Sequence, residues 1–293
     1  METLQFKKGY INNEILRKSF EDFALKTFDV HYGAWHEDGL WNEKSNYINY
    51  SYFNDNEIAA NVSVNEFTLI VEGEEKHAVQ LGAVMTKEKY RNKNLIKTLM
   101  EKIFEDYAGK ADFFYLFGHE GVLDFYTKFG FKRTKMNSFK INSQDVCHKK
   151  AGLRKLNVEK DWPLIDELTD GRVPVSKTLG IINDQWPLKV YCKRMFAEAL
   201  YYLPEDDAIV ILEKTDDTIT IHDVISSRDF SVDDIIEKIG GQAYKWINLG
   251  FTADLKRYKA EVGVIDEDED AFFTKNFEKS ADYKFILPIT SHT

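Results

Sequence analysis

Residues 89–104, KYRNKNLIKTLMEKIF, join a polar basic stretch to an apolar stripe. Leu95, Leu99 and Ile103 recur every four residues, as do Ile96, Met100 and Phe104. That is the spacing of one helix face. Arg91-Asn92-Lys93-Asn94 therefore reads as a loop running directly into a helix N-terminus. The first N–H groups of a helix have no partner within it, and the aligned peptide dipoles add partial positive charge there. With Arg91 and Lys93 beside them, the chemistry on offer is anion binding, above all of a phosphate.

Other chemistry-bearing residues offer less. His31 and His36 could suggest a metal, but no Cys or further His joins them at ligand spacing, so no metal is expected. Asp266–Asp270 (DEDED) lacks the glycine and terminal glutamate of a calcium loop and reads as a solvated acidic turn. Cys147 and Cys192 make no disulfide framework. No apolar run approaches the roughly 20 residues that span a membrane, and residues 1–20 carry no apolar signal core. A cytoplasmic protein that engages no membrane is the expectation.

Charge is distributed unevenly. Residues 1–150 hold 21 basic and 22 acidic side chains, leaving 18 and 27 for the rest, so the balance is −1 against −9. The acidic second half argues against a nucleic-acid partner and suits either solubility or a cationic partner.

The elements that must position the anion loop follow from pattern. Asn13 to Phe28 reads as a helix, and an aromatic-rich loop follows it. EIAANVSVNEFTLIV (57–71) alternates as a strand, residues 72–74 turn, and HAVQLGAVMT (77–86) is a second strand. After the loop and its helix, with Gly109 as the expected C-cap, DFFYLF (112–117) is the continuous apolar run of a buried parallel strand. VLDFYTKF is a short helix stopped by Gly130, and 131–141 reads as a further strand. This order predicts an α/β (α+β) fold, a mixed sheet flanked by helices. A polar boundary lies within 142–152, dividing the chain into 1–145 and 146–293. The second part repeats the outline faintly and is the smaller domain: strands on either side of Asp216-Asp217, a helix VDDIIEKIGG, then strands over 244–255 and 284–291.

VMTKEKYRNKNLIKTLM followed by YLFGHEGVLDFYTKFGF resembles two pieces of the GNAT acyl-CoA N-acyltransferase superfamily, its CoA loop and its later strand–helix unit. The whole first half fits that fold, and the second half fits as a degenerate copy, as in bacterial two-domain members. The resemblance implies acetyl-CoA as co-substrate, its pyrophosphate seated on Arg91, Asn92, Lys93, Asn94, Leu95 and Ile96. It implies that Val84, Met85 and Thr86 pair with pantetheine, that His119 contacts it, and that Tyr126 protonates the departing thiolate. Two glycines of the family loop are Asn94 and Ile96 here. Asn best tolerates the unusual backbone angles, and Ile96 is expected to turn into the core with Met100.

Acyl transfer needs a neutral amine, and baring a lysine-like amine at pH 7 costs about 4.6 kcal/mol. The residues do not name the base that does this. His119 could act, and in some multi-domain relatives the terminal carboxylate reaches the site, which here would be Thr293. Trp35 and Trp41, with Tyr47, Tyr50 and Tyr52, stand where the family builds an acceptor wall; aromatics can hold a cationic amine, and they can equally pack against the second domain. The leading expectation is N-acetyl transfer to a small, cationic primary amine. A non-catalytic acyl-CoA-binding module is the alternative. A peptidyl transferase using charged tRNA would want a basic stripe that the second half lacks.

Overall fold

The structure is a computed structural model that describes residues 4–265, 270–280 and 282–293; most of the acidic turn at 266–270 lies outside them. The chain opens with β1 (Gln5–Lys8), α1 (Glu14–Phe28) and the short α2 (Tyr32–Glu37). Then β2 (Tyr47–Asn54), β3 (Glu57–Val71) and β4 (Glu74–Thr86) form an antiparallel meander. Helix α3 (Leu95–Asp106) crosses over to β5 (Phe113–Gly118), which lies parallel to β4. After α4 (Leu123–Thr127) come β6 (Lys132–Arg133) and β7 (Met136–Asn142). The remainder supplies β8 (Arg154–Lys155), α5 (Trp162–Asp170), β9 (Leu179–Ile182), α6 (Gln185–Val190), β10 (Leu200–Leu203), β11 (Ala208–Lys214) and β12 (Thr218–Ser226). The last elements are α7 (Val232–Lys238), β13 (Trp246–Leu249), β14 (Glu261–Ile265) and β15 (Ala271–Lys275).

These elements make two mixed sheets, an α+β architecture. The first runs β1-β2-β3-β4-β5-β15-β6, with β9 added to β3; the second runs β14-β7-β13-β12-β11-β10-β8. The same motif recurs in both. An antiparallel hairpin (β3–β4, β11–β12) leads through a helix (α3, α7) to a strand parallel to the second hairpin strand (β5, β13). The strand beside each parallel strand is donated by the other half of the chain. β15 inserts between β5 and β6, and β7 between β13 and β14. No single cut therefore separates the sheets, and the 1–145/146–293 division describes chain order only.

This exchange explains two differences from the sequence reading. The strand expected over 131–141 is two strands, because the chain leaves the first sheet after Arg133 and enters the second at Met136. The strand expected over 284–291 is a tail without a ladder, ending in a 3₁₀ turn at Ile289–Ser291. Its apolar residues Phe285 and Leu287 are nonetheless buried. Gly109 has positive φ, but the C-cap of α3 is Tyr107.

The spacing read from the sequence accounts for how α3 is held. Leu99, Met100 and Ile103 are fully buried against β-strand residues such as Val62, Val79 and Leu116. Each such side chain contributes about 1.5–3 kcal/mol on burial, so the core-facing stripe fixes the height and direction of the helix N-terminus.

Candidate active site

Helix α3 begins without a cap. Asn94 occupies the N-cap position with φ 56° and offers no side-chain bond, and the first turn holds no acidic residue. Asn92 has φ 61°. Left-handed backbone at two consecutive alternate positions is tolerable because both are Asn. Arg91, Asn92, Lys93 and Asn94 are exposed, while Ile96 is partly buried and packs against the core. The bare N–H groups and the two cations thus face one open surface.

That surface is the end of a cleft of about 2060 Å³. Its wall runs through Val84, Met85 and Thr86, the 91–96 loop, His119 and Tyr126, so the residues singled out for cofactor binding share one cavity. Sequence reasoning missed its remaining cations. Lys275, from the swapped β15, donates to the Phe129 carbonyl at 2.8 Å, and Lys97 and Lys128 also line the wall. Only the exchange of strands brings Lys275 here. Lys87 and Lys89 are occupied: hydrogen bonds from both (2.7 and 2.8 Å) hold the Glu57 carboxyl at about 2.

The cleft leads to an opening in the sheet. Pairing of β4 with β5 stops at Leu81 and Leu116. Beyond it, β5 stays with β15 as far as Gly118, and β4 stays with β3 as far as Thr86. The register slips between Asn61 and Ser63, opposite Ala83, whose φ is 44°. Such a value is uncommon for a residue with a Cβ. Asn61 Nδ2 holds it by donating to the Ala83 carbonyl at 2.8 Å. From Gly82 onward, β4 has a free edge toward β5 among the described residues.

On the α3 face of this opening stands Tyr126. A Cβ at Gly118 would lie 3.2 Å from its ring, so the phenol packs closely on the bare backbone there. The side chain is 6% exposed, and burial pushes its hydroxyl up to about 12. The phenol is therefore protonated throughout the neutral range and can only give its proton. His119 is exposed; its Nδ1 accepts from the Gly121 N–H at 3.1 Å, which leaves Nε2 as the protonated nitrogen.

On the opposite face stands the tail. A Cβ at Gly82 would come within 2.8 Å of the main-chain oxygen of Thr293. The Thr293 hydroxyl lies between Gln80, to which it donates, and Asn65, from which it accepts. His292 stacks on Phe117 with ring centroids 3.6 Å apart, and burial holds its imidazole at about 3, so it is neutral. Gly82 and Phe117 are the first residues beyond the last β4–β5 pair, so the tail tip straddles the point where the strands part.

A row of buried polar residues supports this face, and sequence reasoning passed over it. Asn61, Ser63 and Asn65 on β3 are fully buried. Ser51 Oγ donates to Asn61 Oδ1 at 2.6 Å, Asn61 Nδ2 to Ser63 Oγ at 2.8 Å, and Trp186 Nε1 to Asn65 Oδ1 at 3.0 Å. The available signal was the polar residue at every second position of a strand whose other face is Val62 and Val64.

The aromatic segment is packed differently from an acceptor wall. Trp41 is fully buried, as are Tyr47 and Tyr50. Trp41 contacts Phe20, Tyr32 and Tyr47 at centroid distances of 5.8, 5.1 and 5.7 Å. Three neighbouring rings leave no face for a cation. Trp35 is half-buried and packs on Tyr32 and Trp186, so it joins the halves of the chain. His36 bonds the Trp41 carbonyl at 2.9 Å, and among the described residues no three His, Cys, Asp or Glu side chains converge as metal ligands. No helix of the described residues is long and apolar enough to cross a membrane.

Both the first half of the chain and the fold as a whole have counterparts among known proteins. Residues 13–134 match the family described as Acetyltransferase (GNAT) domain. Three solved structures share the fold across 93% of this chain. A probable N-acyltransferase from Enterococcus faecalis has 16% identity, TM-score 0.60 and 72% of its own length covered. Eis1 from Mycobacterium abscessus has 13%, 0.59 and 73%, and a GCN5-related N-acetyltransferase from Kribbella flavida 10%, 0.56 and 71%. No curated protein matches the sequence. Residues 13–134, which carry the loop, the opening and Tyr126, match the GNAT acetyltransferase domain, and across both sheets the chain shares the fold of these structures.

Proposed function

We propose that the chain transfers an acetyl group from acetyl-CoA to the primary amine of a small, cationic substrate by direct attack. The observation that carries this reading is the cleft. It joins an uncapped helix N-terminus flanked by Arg91 and Lys93 to an opened strand edge and a protonated, buried tyrosine. The pyrophosphate takes the N–H groups of residues 91–96. The pantetheine arm adds to the free edge of β4 at Val84–Thr86, with His119 at its side, and brings the thioester to the opening.

There the amine approaches from the face occupied by the tail. Backbone N–H near Met85 polarises the thioester carbonyl. The nitrogen lone pair forms the new C–N bond, the C–S bond breaks, and Tyr126 gives its proton to the departing sulfur. The main-chain oxygen of Thr293 lies against Gly82 on the amine's side. Where Thr293 carries a terminal carboxylate, that group takes the proton the amine must lose. The −9 balance of residues 151–293 favours cationic acceptors.

A panel of amines with acetyl-CoA, read by thiol release and by mass of the product, tests the proposal. Acetylation of small diamines or other cationic amines is expected. Tight acetyl-CoA binding with no acetyl transfer to any amine would favour the non-catalytic acyl-CoA-binding alternative.

A further inference from the structure

The tail that forms the acceptor face is not held by the first sheet alone. Thr290 is fully buried, and its hydroxyl donates to Asp223 Oδ2 at 2.7 Å. Asp223 lies on β12, in the second sheet. Its carboxylate is clamped by Arg172, whose two terminal nitrogens reach it at 3.0 Å each. Arg172 also bonds Asp184 at 3.1 Å, and all three charged side chains are shielded from solvent. Ser291 turns back on the Pro288 carbonyl at 2.7 Å, closing the turn that delivers His292 and Thr293.

Charges are seldom buried like this unless paired, and a pair of fixed geometry gives position more than stability. Three peptide links separate Thr290 from Thr293, a reach of at most about 11 Å. A shift at the anchor is therefore passed to the tip with little slack. The tip must fit between Gln80, Asn65 and the bare backbone of Gly82. Upstream, the tail has further holds. Asn137 N donates to the Phe285 carbonyl at 2.7 Å, and Thr252 exchanges bonds of 2.9 Å with Ile286. Loss of the Thr290 hydroxyl would thus leave the tail bound as far as Leu287 and remove the second sheet's hold on the turn that delivers its tip.

We propose that Thr290 and Asp223, with Arg172 behind them, are positioning residues: the second sheet sets the acceptor face of an active site built on the first. This inference rests on the acetyltransferase reading above. It gives the second sheet, whose counterpart of α3 is the capped α7, a part in catalysis.

Thr290→Val removes the hydroxyl and keeps the shape, and Thr290→Ser restores the hydroxyl. For Thr290→Val, kcat is expected to fall by roughly 10–100-fold, the usual effect of a misplacement near 1 Å. Affinity for acetyl-CoA by calorimetry should stay within about twofold, since Thr290 is not among the residues that line the cleft. Thr290→Ser should recover most of the loss. A crystal structure of Thr290→Val should show Thr293 displaced from Gln80 and Asn65. A wild-type kcat in Thr290→Val, an undisplaced Thr293, or equal losses in the Val and Ser variants would each overturn the proposal. A wild-type chain that acetylates no amine would instead sink the acetyltransferase reading, and the two failures are separable because tail position is read without turnover.

Discussion

The two sheets repeat one motif and end it in opposite ways. In the first, α3 starts on Asn94 with no cap and no acid in its first turn, beside Arg91 and Lys93. In the second, α7 starts on Ser231, whose side chain accepts from Asp234 N, with Asp233 and Asp234 in the first turn. Asp233 is itself spent on the backbone N–H groups of Lys256 and Arg257, at 2.9 and 3.3 Å. Acidic side chains at a helix N-terminus already satisfy its dipole. The strands differ in the same sense. β4 and β5 part after Leu81. Beside β12, the chain after β13 stays in contact: Gly250 N donates to the Ile221 carbonyl at 2.7 Å. A Cβ at Gly250 would lie 3.1 Å from His222 Cα. One copy keeps an anion site and an opening, whereas the other fills both with its own atoms.

If the contrast is functional, changes on one side should move activity and changes on the other should move stability. The largest effect is expected at Tyr126. Tyr126→Phe deletes only the proton donor, and kcat should fall by roughly 10²-fold or more, with acetyl-CoA affinity nearly unchanged. Turnover that survives while the melting temperature drops would make Tyr126 a core residue instead.

Next comes the second sheet. Asp233→Ala strips the acceptor from two N–H groups near a buried site, at a cost of about 1–3 kcal/mol. Thermal or urea unfolding should register that loss, while the Kd for acetyl-CoA holds. A change in that Kd without a change in stability would mean that α7 takes part in binding.

The smaller effect belongs to the loop. Reversing both charges with Arg91→Glu and Lys93→Glu should weaken acetyl-CoA binding about tenfold at low salt. The residues are solvent-exposed, so each reversal is worth only about 0.2–1 kcal/mol, and added salt should shrink the difference. Equal affinity in the folded double variant would remove the pyrophosphate from this loop.

What could be read from the sequence was local. Helix α1, the strands β3 and β4, α3 and β5 each carry their pattern within about fifteen residues, and the anion loop lies inside such a unit. What could not be read depends on distant partners. Residues 131–141 alternate as one strand because both pieces face a core, yet the cores belong to different sheets. β15 places Lys275 in the cleft from far along the chain. Trp41 carries the same side chain whether it lines a wall or fills a core, and only Phe20, Tyr32 and Tyr47 around it decide. Residues 284–291 read as a strand, and Phe285 and Leu287 alternate as in one. Their burial is real, but Pro288 and the turn after it carry Thr293 to Gly82 instead.

The contrast between the sheets is most directly tested by binding stoichiometry. Titration calorimetry of acetyl-CoA into the full chain should give one site per chain, abolished or weakened by the Arg91→Glu, Lys93→Glu pair and unaffected by Asp233→Ala. Two equivalent sites per chain, or one site that answers to Asp233 and ignores Arg91 and Lys93, would contradict the account.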